Sequence, residues 1–204
     1  MVLIPLMILY IILSHPFSDD SRSRQDQPPC PYTWHGGSPS HRGSCWCGAD
    51  DKYCMCTPSL AIDAIIEYHK SEETISSSCE SCSLLLVFRR DPPSGYAIPG
   101  GFVNIGESVE TAAIREVKEE TNLSLHSLEQ FRMYSDPARD KRRHTASIVF
   151  RCIVTSVDGF KGGDDAKGVR LVPLKDVLNL PLAFDHKIIL HDYIQRYHPT
   201  VLGL

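Results

Sequence analysis

Gly101-Phe-Val-Asn-Ile-Gly-Glu107-Ser-Val-Glu-Thr-Ala-Ala-Ile-Arg115-Glu116-Val-Lys-Glu119-Glu120-Thr-Asn122-Leu123 is the stretch from which the fold and chemistry of this chain are read. Its glycine-containing opening predicts a turn, and the residues after it predict a helix running to about Thr121. Positions three and four apart share a helix face, so Glu116, Glu119 and Glu120 converge while Val117 and Lys118 point elsewhere. Val109, Ala113, Ile114 and Val117 supply the apolar stripe that docks such a helix on a sheet. Asn122 falls where the helix ends, and asparagine is the commonest residue after glycine to take the left-handed conformation needed there. Three carboxylates on one face repel and raise one another's pKa. A hard divalent cation resolves the conflict and leaves positions open for a phosphate. A run of acidic residues is ordinarily a solvated face; the fixed spacing behind Pro99-Gly100-Gly101 argues for a site instead.

That spacing resembles the Nudix box, G-x5-E-x7-R-E-U-x-E-E-x-G-U, in which U is a bulky aliphatic residue. Gly101, Glu107, Arg115, Glu116, Val117, Glu119, Glu120 and Leu123 fall on its fixed positions, and only Asn122 departs, standing where the family has glycine. The resemblance implies an α/β/α sandwich with a mixed β-sheet, covering roughly residues 57–199, and a metal-dependent pyrophosphohydrolase. It makes Glu116 and Glu120 the main ligands of Mg²⁺ (or Mn²⁺), with Glu119 ligating a second ion or orienting water and the Gly101 carbonyl as a further ligand. Arg115 is expected to hold a neighbouring carboxylate, and Glu107 to anchor the turn before the helix. Gly100 and Gly101 free the backbone to approach a metal or phosphate closely.

Working outward, Leu60 to Ile66 and Leu84 to Phe88 read as strands, with Glu67 to Ser83 as a polar loop between them. Further strands are predicted at Glu129 to Tyr134, Thr145 to Val157 and Val169 to Val172. Asp185 is expected to cap a C-terminal amphipathic helix ending near Tyr197. Strands interleaved with two helices predict a mixed sheet covered on both faces. Arg89 and Arg90 lie close in sequence to the glycine turn and are candidate diphosphate contacts; adjacent strand residues face opposite ways, so one of the two is expected to serve.

Three later segments are similar to the bacterial-type ADP-ribose pyrophosphatase subgroup: Tyr134 to His144, Gly162-Gly-Asp-Asp-Ala166 and Pro181-Leu-Ala-Phe-Asp-His186. The subgroup implies that the loop from Ser135 to His144 closes over the substrate side of the sheet. Arg139 and Arg143 then become diphosphate contacts, which guanidinium groups suit through forked hydrogen bonding. Relatives read G-D-D-A-x-E-A-x-W where this chain has Gly163-Asp-Asp-Ala-Lys-Gly168-Val-Arg-Leu171, so Gly168 replaces a glutamate that can assist the metal or the attacking water. Asp164 or Asp165 could substitute for it, or simply form a turn.

The first third of the chain is different material. Residues 1–18 contain an apolar run, Val2 to Leu13, too short to span a bilayer at about 20 residues. It is read as a signal peptide or anchor rather than a buried strand, although the basic lead-in and a small-x-small cleavage site are missing. The secretory pathway follows from that reading, with the cytoplasm as the alternative, and a membrane is a partner only if the leader stays on as an anchor. Residues 19–56 read as a Cys-rich irregular extension. Seven of the eight cysteines precede residue 83. Cys45, Cys47, Cys54, Cys56, Cys79 and Cys82 are candidates for a structural Zn²⁺ or for disulfides, and free thiols remain a third option. Cys152 reads as a buried small hydrophobe.

A chain of 204 residues, 42% hydrophobic, supports one good core. Its net charge of −4 offers no broad attraction for nucleic acid, and too little chain follows His198 for a DNA-binding domain. The partner is therefore expected to be a small-molecule nucleotide, most simply ADP-ribose, cleaved to AMP and ribose 5-phosphate. Two alternatives stand: a Nudix-fold module that binds ADP-ribose without cleaving it, and a hydrolase of a nucleoside triphosphate or NADH. A homodimer is compatible with all of them.

Overall fold

The computed structural model describes residues 44–47, 54–71, 82–158 and 168–204. The apolar leader, the side chains of Cys45, Cys47, Cys54, Cys56 and Cys79, and Asp164 and Asp165 lie outside the described residues. Nine strands are described: β1 Ser44–Cys47, β2 Cys54–Thr57, β3 Ser59–Tyr68, β4 Ser83–Arg89, β5 Gly95–Ala97, β6 Gly100–Phe102, β7 Glu129–Tyr134, β8 Thr145–Val154 and β9 Val169–Pro173. Two α-helices join them, α1 Val109–Thr121 and α2 His186–Tyr197.

Strand β3 organises the main sheet. It pairs in parallel with β8 from Ser59↔Thr145 to Tyr68↔Val154, and antiparallel with both β4 and β6 on its other edge. The sheet runs β5-β4-β3-β8-β7, with β6 added to β3 and β9 to β4, so it is mixed. A strand buried on both faces reads as a continuous apolar run, and Ile62 to Ile66 is buried throughout. Alternation divides it: Ile62, Ala64 and Ile66 cluster with Ala112, Ala113 and Val117 of α1, whereas Ile65 clusters with Ile189, Leu190, Tyr193 and Ile194 of α2. One helix thus covers each face.

Helix α1 begins at Ser108, whose hydroxyl accepts from the Thr111 amide at 3.2 Å. It ends at Asn122 with φ +62°, the left-handed cap expected of it, and the Asn122 N–H closes on the Lys118 carbonyl. Ile114 corrects the expected stripe. It is 42% exposed, and the buried face is Ala112, Ala113, Val117 and Thr121. Alanines at that contact let the helix backbone lie close to β3 and β6.

Ser44–Cys47 and Cys54–Thr57 pair as a two-stranded antiparallel ladder. Two other expectations are corrected by the main sheet and α2. Glu67, read as the start of a polar loop, stays in β3 and is only 1% exposed. It can be buried because Tyr193, His69, His198 and Arg151 surround its carboxylate, which holds its pKa down at about 2 against the desolvation that opposes this. Asp185 does stand at the N-cap of α2, but its side chain makes no cap hydrogen bond; Arg139 takes both its oxygens at 2.8 Å.

Candidate active site

Arg115 is the centre of the box. Its Nε and Nη2 donate to Glu107 Oε1 and Oε2, each at 2.8 Å, and Nη1 donates to Glu116 Oε1 at 2.7 Å and more weakly to Glu119 Oε2 at 3.5 Å. Nη2 also reaches the Phe102 carbonyl at 3.1 Å. Glu107 in turn accepts from the Asn104 amide at 3.0 Å. The guanidinium therefore ties the turn before α1 to the carboxylate face of α1, which is the planar, forked geometry that lysine lacks. Hydrogen bonding to Arg115 holds Glu107 down at about pKa 2.

Glu116 packs directly on Gly101: a Cβ there would come within 2.3 Å of the Glu116 carboxyl carbon, so the end of that side chain would have to move. Gly100 is more strictly constrained, since its Cβ would stand 2.2 Å from the Ile62 carbonyl oxygen, which is backbone. The Gly100 amide donates to Glu120 Oε2 at 3.1 Å. Burial pushes Glu120 up to about pKa 7, with the neighbouring Glu116 and Asp63 charges adding to it against the pull of the Gly100 amide and Arg89. Glu119 is the outermost of the three, 59% exposed.

Glu120, Gly100, Gly101, Arg89 and Asp63 line a pocket of about 100 Å³. It shares Arg139, Asp140, Arg142 and Phe184 with a neighbouring cleft of about 930 Å³ walled by Pro92, Tyr134 and Leu182, among others. Of the arginines named from sequence, Arg89 lines the small pocket, with a buried Nε that has no hydrogen-bond partner among the described residues. Arg90 is exposed and lines neither. Arg139 lines both but is 6% exposed and forked onto Asp185. Arg143 sits 5.3 Å over the Phe102 ring, outside both linings.

Sequence reasoning missed Asp63, His186, Arg142 and Phe184. Asp63 is buried on β3, accepting from Ser147 Oγ at 2.5 Å, with His186 Nε2 at 3.5 Å from its other oxygen. The Ile98 amide donates to His186 Nδ1 at 2.9 Å, which places the imidazole proton on Nε2, facing Asp63. Burial lowers the pKa of His186, keeping the ring neutral. The available signal was an aspartate inside the apolar run Leu60 to Ile66, since a buried charge needs partners.

Gly168 stands beside Phe88, whose amide donates to its carbonyl at 2.8 Å. A Cβ at 168 would meet Phe88 Cβ at 2.8 Å, on the side opposite to Val87 and Arg89, which line the small pocket. At the far end of β3, the ligand atoms of Glu67, His69 and Cys82 lie within 4.8 Å of one another. Cys82 is disulfide-bonded, so its sulfur has no thiolate to offer a zinc ion. Cys152 is free and buried.

The box on α1 and its glycine strand, set on a mixed sheet between two helices, define a class. Residues 77–193, more than half of the chain, match the NUDIX domain, and the chain belongs to the Nudix family. It is 42% identical over 142 residues to the ADP-ribose pyrophosphatase of Methanocaldococcus jannaschii, covering 68% of this chain and 74% of that protein. Among solved structures it is similar to the NUDIX domain of Shewanella oneidensis NrtR complexed with ADP ribose (TM-score 0.57, 25% identity, 69% of this chain and 88% of that one). It is also similar to a mutT/nudix family protein from Listeria innocua (TM-score 0.58, 30% identity, 72% of this chain and 99% of that one).

Proposed function

We propose that this chain is a Mg²⁺- or Mn²⁺-dependent hydrolase that splits ADP-ribose into AMP and ribose 5-phosphate. The observation that carries the reading is the shared wall of the two cavities. The pocket at Glu120 and a cleft of about 930 Å³ have Arg139, Asp140, Arg142 and Phe184 in common, and that volume is within the range of small-molecule sites. One substrate can therefore lie with its diphosphate at the glutamates and a nucleoside in the cleft. The 42% identity to an ADP-ribose pyrophosphatase supports the same substrate.

The donor set fits a hard cation. Glu116, Glu119 and Glu120 offer carboxylate oxygens and Gly101 a carbonyl, and burial holds Glu120 at about pKa 7 until a cation compensates its charge. Bound there, the metal supplies Lewis-acid stabilisation of phosphoryl charge and an acidified water. Arg115 restrains Glu116 and Glu107 so that the ligand face does not have to reorganise. Arg89 lines the pocket that receives the diphosphate, and its buried Nε has no hydrogen-bond partner among the described residues. In the reaction one water adds to a phosphorus, the bridging P–O bond breaks, and the bridging oxygen leaves with the other phosphate.

Incubation with ADP-ribose and Mg²⁺ should yield equal amounts of AMP and ribose 5-phosphate, and EDTA should stop the reaction. Calorimetric binding of ADP-ribose with no AMP after prolonged incubation would make the chain a binding module instead. Faster turnover of a nucleoside triphosphate or NADH would move the substrate.

A further inference from the structure

Phe184 is a bulky residue held at φ +55°, a left-handed conformation that side chains of its kind rarely adopt. The backbone on either side is pinned: the Ala183 amide donates to the Tyr96 carbonyl at 2.8 Å, and the His186 amide to the Ala183 carbonyl at 3.2 Å. The strained residue presents its ring to two cations. The Arg89 guanidinium lies 5.0 Å from the ring centroid and that of Arg142 4.9 Å. They come from different places, Arg89 from the end of β4 and Arg142 from the loop before β8, and would repel without something between or beside them. The negative face of an aromatic ring supplies that.

Neither guanidinium is saturated. Asp140 takes Nε and Nη2 of Arg142 at 3.0 and 2.9 Å, and Nη1 makes no hydrogen bond among the described residues. Arg89 Nε is buried without a partner among the described residues, and an unpaired buried donor is unfavourable until something accepts from it. Strain, like charge and an orphan donor thus meet in the wall of the small pocket, which all three residues line, and Phe184 and Arg142 also line the wider cleft.

We infer that Phe184 is a positioning residue that sets Arg89 and Arg142 as a two-pronged clamp for the diphosphate of the substrate. The inference rests on the hydrolase reading for the identity of the substrate but not for the anion itself. A linear diphosphate offers oxygens on both phosphorus atoms, and two guanidiniums sharing one ring can each take one end through charge-assisted bonds.

The test uses the full chain and two readouts: KM and kcat for ADP-ribose, and the Kd of inorganic pyrophosphate measured by calorimetry. Phe184→Leu should raise KM and the pyrophosphate Kd about tenfold, the scale of a desolvated cation–π contact, while kcat changes little. Phe184→Tyr, which keeps the aromatic face, should stay close to wild type. Arg142→Met should also weaken pyrophosphate about tenfold; the residue is 45% exposed and its backbone amide still donates to the buried Asp140 carboxylate at 3.0 Å, so this variant is expected to fold even if the Leu variant does not. Unchanged pyrophosphate binding in Arg142→Met, or in a folded Phe184→Leu, overturns the clamp, as does a Tyr variant as weak as Leu. If ADP-ribose is not hydrolysed by the wild type yet pyrophosphate binding still depends on Phe184 and Arg142, the substrate reading fails and the clamp stands.

Discussion

Glu120 is where the chemistry of the site can be read from a single proton. Its pKa of about 7 in the fold, against an ordinary 4.5, means that the native state holds a proton there which the unfolded chain releases. Between those values stability from this group falls as pH rises, by up to ~3 kcal/mol once the carboxylate is ionised. The neutral His186 acts in the opposite sense, since its pKa is lowered and the unfolded chain binds the extra proton. In EDTA, Glu120→Gln should therefore gain Tm relative to wild type on going from pH 5 to pH 8, and Mg²⁺ should reduce the difference. Parallel melting curves at both pH values would remove Glu120 as a buried, metal-relieved acid. Gly101→Ala makes a second residue-scale test: its methyl would press on the Glu116 carboxyl, so ADP-ribose turnover should fall at least about a hundredfold, a few kcal/mol of lost metal stabilisation. Turnover near wild type would show that Glu116 need not hold this position.

At the scale of elements, helix α1 was legible because its signals are local: Ser108 at the start, the box spacing along it and Asn122 at the end. Asn122 still carries the cost of a left-handed non-glycine residue, so Asn122→Gly should stabilise the protein by about 0.5–1 kcal/mol, visible as a raised midpoint in urea. A lowered midpoint would mean that the asparagine side chain contributes more than its backbone strain subtracts. Strands β3, β4, β8 and β9 were readable from their apolar and β-branched runs. What was not readable came from pairing over distance. Gly95–Ala97 and Gly100–Phe102 are too short and too rich in glycine to show as strands, and they become strands only because β4 and β3 lie beside them. Asp63 and Glu67 hide in an apolar run because their partners, Ser147, His186, Tyr193 and His198, arrive from β8, α2 and the residue after α2. Phe184 fell within the quoted segment Pro181 to His186, but nothing there marked its positive φ, since backbone strain has no sequence pattern when glycine is absent.

For the whole molecule, the two helices divide the labour. Helix α1 brings the glutamates to one face, while the N-terminal end of α2 delivers His186 and Asp185, which engage Asp63 and Arg139 beside the same pocket. The disulfide of Cys82 lies at the opposite end of β3, next to the buried Glu67 network. Reduction should therefore lower Tm, by the equivalent of about 2–4 kcal/mol, while leaving the KM for ADP-ribose unchanged. A KM that shifts on reduction would show that the two ends of the sheet are coupled. The central claim, that the carboxylate face of α1 is a metal-dependent hydrolytic site, is tested most directly by AMP release from ADP-ribose at saturating Mg²⁺ in Glu116→Gln and Glu120→Gln. Each variant is expected to remain folded and to lose at least about a hundredfold in turnover, because metal stabilisation of phosphoryl charge is worth several kcal/mol; turnover equal to wild type in either one would contradict the account.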